Sequence, residues 1–134
     1  MNVLGIMKFM GECGAKYDLE TFRLAYRYFS KMLRDGRIAC IMKSKQNVAM
    51  IVFSVCNEPR PYYEKEIWDY IPQFNLGHIV YIEKLISKTW SKGVRTKFEE
   101  AITNLYPNLD TGIWHRSRKS GEQMITIERK LCMK

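Results

Sequence analysis

Histidine and proline are scarce in this 134-residue chain, and its cysteines follow no regular spacing. There are two histidines, four prolines and four cysteines. The cysteines stand at 13, 40, 56 and 132 with no CxxC among them, and Cys40 and Cys56 lie inside apolar runs. That spacing fits neither a zinc ribbon nor a disulfide framework, and points to free thiols in a reducing compartment. Two histidines with no third ligand in view make a poor metal site, so no metal is expected. No apolar stretch approaches 18 residues, which argues against a membrane-spanning helix. The opening run MNVLGIMKFM is interrupted by Lys8 and followed by no small-residue cleavage pattern, so it does not read as a signal peptide. Repeats, linkers and low-complexity tracts are also missing. The expectation is one soluble, cytoplasmic domain over residues 1–134, with no membrane partner.

What is present is enough apolar residue, 46% of the chain, to bury a single core. Lys and Arg number 22 against 14 acids, a formal charge of +8. Such a balance suits polyanions, anionic surfaces and phosphorylated small molecules, and does not choose among them. Met7, Met10, Met32, Met42, Met50 and Met124 fall mostly in apolar runs and read as core filling.

Along the chain, Phe22, Tyr26, Phe29 and Leu33 recur at helical spacing from Asp18 to Leu33, with Asp18 as N-cap and Gly36 as stop. Two β-prone runs follow, Arg37 to Lys43 and Val48 to Cys56, joined by SKQN as a hairpin loop. Pro59, Pro61 and Pro72 surround YYEKEIWDYI and mark an irregular excursion with one short helix near Glu64 to Tyr70. GHIVYIEKLIS, residues 77–87, is the strongest strand signal. Val94, Phe98, Ala101 and Leu105 form the apolar stripe of a second helix, ended by Pro107. TGIWHRS and QMITIERK read as two further strands around a turn at Lys119 to Glu122. This order implies an α/β or α+β domain, a central mixed, mostly antiparallel sheet flanked by helices.

Five basic side chains crowd Lys84 to Lys97 with no acid among them, and Gly93 sits where the strong strand gives way to the helix. A strand-to-helix turn of this kind can hold a phosphate on backbone N–H groups and a helix N-terminus, or be an ordinary basic turn. Here the sequence resembles the GNAT family of N-acetyltransferases, in which a central strand runs into a Gln/Arg-x-x-Gly-x-Gly/Ala loop that binds the pyrophosphate of acyl-coenzyme A. The resemblance covers roughly residues 18–130 in element order. It implies acetyl-CoA or another acyl-CoA as cofactor, bound by Ser91, Lys92, Gly93, Val94, Arg95 and Thr96, and an amine of unknown identity as acceptor. Arg95 stands where the family has its second glycine or alanine, so the loop is a degenerate one. Only seven residues, SRKSGEQ, separate Trp114, His115 and Arg116 from the last strand, too few for the family's extra helix and its tyrosine acid. Small, trimmed variants of that scaffold are at home in phages and mobile elements.

Glu83 lies near the middle of the strong strand, sharing a face with Ile79, Tyr81 and Leu85 by alternation. A half-buried carboxylate there reads either as the general base for an amine nucleophile, a role the resemblance implies, or as a partner for a nearby Lys or Arg. His78 and His115 flank two strands and read as proton relays or as polar strand ends. Arg23, Arg27, Lys31, Arg34 and Arg37 recur every three or four positions, a charged stripe opposite Phe22 and Phe29. It reads as a solvated face, or as a surface for nucleic acid or an acidic protein. In the latter case Lys84, Lys88, Lys92, Lys97, Arg116, Arg118 and Lys119 extend it, with Tyr62, Tyr63, Trp68 and Trp90 for stacking. Two functions follow: an acyl-CoA-dependent N-acyltransferase with Glu83 as base, or an inactive scaffold of the same shape that binds nucleic acid or an acidic protein.

Overall fold

The computed structural model describes residues 2–57, 68, 70, 77–88, 91–117 and 124–131. Three helices and five strands follow in the order α1 (Val3–Glu12), α2 (Leu19–Arg34), β1 (Ile38–Lys43), β2 (Gln46–Cys56), β3 (Ile79–Ser87), α3 (Lys92–Leu105), β4 (Thr111–Ser117) and β5 (Met124–Lys130). The short helix expected near Glu64 to Tyr70 lies outside the described residues, as do Tyr62, Tyr63 and Trp90. Helix α1 has no counterpart in the sequence reading. Asn2 begins it, its side chain accepting the Gly5 N–H at 2.8 Å, and Ile6, Met7 and Phe9 bury its inner face.

The sheet runs β1-β2-β3-β4-β5, antiparallel throughout except for the β3–β4 pair, which is parallel. It is the α+β architecture expected, a mixed sheet between helices. Paired residues of neighbouring strands share a face. On one face Met50 and Val52 of β2 pack with Ile6, Phe9, Tyr28, Phe29 and Met32 of α1 and α2. On the other, Ile51, Phe53 and Val55 meet Phe98 and Ile102 of α3. From Val48 to Cys56 β2, buried on both faces, is therefore a continuous apolar run broken only by Ser54.

Two apolar stripes are rotated from their expected positions. In α2 the core takes Ala25, Tyr28, Phe29 and Met32, while Phe22 and Tyr26 are 39% and 45% exposed. At about 100° per residue, Phe22 and Tyr26 fall at the margin of the face that Ala25 and Phe29 bring against the sheet. In α3, Ile102 joins Phe98 in the core and Leu105 is exposed.

The chain between elements explains where the next residues fall. A capping box starts α2: Asp18 accepts the Thr21 N–H at 2.8 Å, and Thr21 Oγ1 accepts the Asp18 N–H at 2.9 Å. Its other end closes in a Schellman motif, with Gly36 at φ +70°, its N–H bonded to Leu33 O and the Arg37 N–H to Met32 O. That turn sends Arg37 inward. The β1–β2 hairpin turns on Ser44 and Lys45, both at positive φ, so Gln46 and Asn47 belong to β2 and the loop is shorter than SKQN. Gly77 enters β3 at φ +126°, where a Cβ would stand 2.2 Å from Cys56 O.

Candidate functional site

Glu83 is the extra residue of a β-bulge. Val52 pairs with Lys84 and Phe53 with Ile82, leaving Glu83 between them with no residue opposite. The bulge shifts the alternation by one. Glu83 lies on the α1/α2 face with Tyr81, Lys84 joins the same face, and Leu85 crosses to the other, 49% exposed. The shared face read from simple alternation therefore holds for Ile79 and Tyr81 and fails for Leu85.

Around the Glu83 carboxylate the fold assembles a buried polar network. Arg37 Nη2 donates to Oε1 at 3.1 Å, the Ser54 hydroxyl donates to Oε1 at 2.8 Å, and the Tyr28 hydroxyl donates to Oε2 at 3.1 Å. Arg37 also donates through Nη2 to Ser54 Oγ and through Nε to Phe53 O at 2.9 Å. The Arg37 and Glu83 side chains are 0% and 1% exposed. Burial, reinforced by the neighbouring Glu83 charge and its hydrogen bond, pushes the Tyr28 phenol far above its ordinary pKa. Lys84 Nζ rests 5.2 Å from the Tyr28 ring centroid and 5.0 Å from that of Trp68. Trp68 packs edge-on against Tyr28 and Phe29, so it belongs to this core rather than to a stacking surface.

Arg37 is the clearest correction to the sequence reading. It is not the last member of the exposed stripe on α2, because the Schellman turn takes it out of the helix and buries it. The rest of the stripe is divided. Arg23 and Arg27 are exposed, Lys31 Nζ lies 5.1 Å from the Tyr70 ring centroid, and Arg34 Nε pairs with Asp35 at 3.2 Å. Asp35 also accepts from the Tyr70 hydroxyl.

The six residues assigned to acyl-CoA are brought together at the start of α3, and the glycine there is helical. Ser91 is the N-cap, accepting the Val94 N–H at 3.2 Å, and Lys92, Gly93, Val94, Arg95 and Thr96 make the first turns. Among the described residues a Cβ on Gly93 would meet only Ser91 Oγ, at 3.7 Å. Arg95 Nε is buried with no hydrogen-bond partner among the described residues, 4.0 Å from Glu99 Oε1. A helix N-terminus with Lys92 beside it and an unsatisfied guanidinium donor on the next turn suits an anionic group. Helix α3 packs through Phe98 and Ile102 on the sheet face opposite Glu83, and the six residues stand at its start, just after β3 ends at Ser87.

The β3–β4 ladder pairs Ile79–Ile82 with Thr111–Trp114 and ends there, although β3 runs on to Ser87 and β4 to Ser117. The ladder stops beside the Glu83 bulge. At its opposite end, His78 Nδ1 lies 2.8 Å from Asp110 Oδ1 and both residues are about half exposed. The hydrogen bond to His78, then that from Thr111, holds the Asp110 carboxyl below its usual range. The side chain of His115 lies outside the described residues.

Arg37, Ser54 and Tyr28 were missed as site residues. Ser54 had a legible signal, the one hydroxyl inside AMIVFSVC. Arg37 followed a helix-stopping glycine, and Tyr28 stood among helix aromatics that all suited the core. Among the described residues no three His, Cys, Asp or Glu side chains are grouped to hold a metal ion, and no helix is long and apolar enough to cross a membrane. No protein-family model and no curated protein matches the chain.

Proposed function

We propose that this protein binds an acyl-CoA at the end of the β3–β4 ladder and transfers its acyl group to an amine. The observation that carries the proposal is the early end of that ladder beside the Glu83 bulge, with β3 running on to Ser87 and the capped start of α3 following it. Two strands that stop pairing leave room for an extended amide-bearing chain to lie between them. The start of α3, with Lys92 and Arg95, is then the place for the diphosphate. In the transfer the amine nitrogen attacks the thioester carbonyl, the C–N bond forms, the C–S bond breaks, and the amine gives up a proton while the thiolate takes one. Glu83, on the bulge beside the ladder end, is the candidate to receive that proton, with Arg37 and the Tyr28 and Ser54 hydroxyls as its contacts.

A second reading has its own observation. The Glu83 carboxylate already accepts from Arg37, Ser54 and Tyr28 and is shielded from solvent, an arrangement suited to a structural lock. The chain then keeps the scaffold without the chemistry and uses its basic surface for nucleic acid or an acidic protein. Calorimetry with acetyl-CoA and with desulfo-CoA, followed by a free-thiol assay over a panel of amines, separates the two. Binding with thiol release supports transfer, binding without it leaves a cofactor-binding scaffold, and no heat at millimolar acetyl-CoA removes the first reading.

A further inference from the structure

The outer side of α2 carries aromatic rings that stay partly exposed. Phe22 and Tyr26, one helical turn apart, are 39% and 45% exposed; the Phe22 ring meets Tyr17 edge-on at 6.2 Å and lies nearly parallel to Tyr26 at 6.4 Å and 21°. Leu19, one turn earlier on the same side, is 71% exposed. Directly beside this strip, Arg23 and Arg27 point into solvent and make no ion pair among the described residues. Lys31 and Arg34, by contrast, are engaged by Tyr70 and Asp35. Within α2 the charge left to offer is thus in the first half, and there it adjoins two nearly parallel rings.

We infer that this strip of α2, Phe22 and Tyr26 flanked by Arg23 and Arg27, binds single-stranded nucleic acid by stacking unpaired bases on the rings and pairing phosphates with the arginines. The inference rests on the second reading's basic surface, not on acyl-CoA binding. Charge complementarity selects a polyanion, since the two arginines make no ion pair among the described residues and the whole chain carries +8. The rings select among polyanions. An acidic peptide supplies charge without planar faces, and a duplex keeps its bases stacked on one another, whereas a single strand presents both phosphates and open base faces. Stacking of this kind tolerates any sequence, so the expected binding is non-specific.

The test is fluorescence anisotropy of labelled dT15 titrated with the full chain at several salt concentrations. Phe22→Leu and Tyr26→Leu keep apolar bulk while removing the π-face, and each should weaken binding about tenfold without changing the salt slope. Arg23→Gln and Arg27→Gln should each make the slope shallower by about 0.7, the value for one single-strand phosphate contact. Unchanged thermal melting shows that all four variants fold. Polyglutamate and phosphatidylserine vesicles serve as rival ligands. Binding to dT15 that the leucine variants leave intact, or that polyglutamate or the vesicles match, overturns the stacking strip while leaving a basic surface. Absence of binding to every polyanion at low salt removes both the strip and the second reading.

Discussion

Arg37 Nη2 and Glu83 Oε1 meet at 3.1 Å with both side chains shut away from water, joining the turn after α2 to the bulge of β3. A buried pair of this kind is expensive to break and cheap to replace, because removing one partner strands the other charge. Arg37→Met or Glu83→Gln alone should therefore lower stability by about 3–5 kcal/mol in urea unfolding. The double variant Arg37→Met with Glu83→Leu should recover most of that loss. Single variants within about 1 kcal/mol of the parent would show that the pair is solvated in solution.

The same network sets an alkaline limit. Burial first, then the Glu83 charge, raises the folded pKa of Tyr28, so the folded state holds this proton more tightly than the unfolded state. The stability it contributes is complete below the unfolded phenol value of about 10 and is lost as pH rises beyond that toward the folded value. Absorbance at 295 nm should show one phenol that ionises only as the protein unfolds. Tyr28→Phe should make the urea midpoint flatter between pH 9 and 11; a parent protein with equally flat behaviour contradicts the assignment.

Two glycines should respond in opposite directions to alanine. At Gly77 the backbone is at φ +126° and the added Cβ would run into Cys56 O, so Gly77→Ala should cost at least about 2 kcal/mol. At Gly93 the position is helical and, among the described residues, unobstructed, so Gly93→Ala should stabilise α3 by about 0.5 kcal/mol. Thermal melting of the two variants decides both, and a destabilised Gly93→Ala would mean that this glycine is not helical.

The helix start also separates cofactor binding from fold. Ser91→Ala removes the cap and should cost about 1 kcal/mol of stability whether or not acyl-CoA binds. Gly93→Val should leave the fold nearly intact and weaken acetyl-CoA strongly by covering the approach to the backbone, and Lys92→Ala should weaken it by about 1.5–3 kcal/mol. If calorimetry gives the parent Kd for Gly93→Val, the diphosphate does not sit on this helix.

Much of the element order was legible because it rests on local chemistry. Asp18 and Thr21 announce α2, Gly36 stops it, and the apolar density of 79–82 marks the strand at the centre of the sheet. Helix α1 was less legible because MNVLGIMKFM is apolar almost throughout, so that no stripe stands out, although Asn2 caps it and Ile6, Met7 and Phe9 bury its inner face. The site was less legible because its placement is non-local. Nothing near Glu83 in sequence says that a bulge keeps Lys84 on its face, and the period of three or four that linked Arg37 to Arg34 continues past the point where the helix has ended. Exposure of Phe22 was hidden for a related reason, since a wide apolar arc does not reveal which of its edges meets the sheet.

The short parallel seam between β3 and β4 also makes the sheet two leaves, a three-stranded meander and a two-stranded hairpin, hinged along Ile79–Ile82. Cooperative units separated by so narrow a join open at different free energies, the smaller one first. Amides of β4 and β5 should then exchange with solvent ahead of those in β2, which is held on both sides. Any molecule bound at the end of the seam would be gripped according to how stiffly the four paired residues of each strand resist being spread.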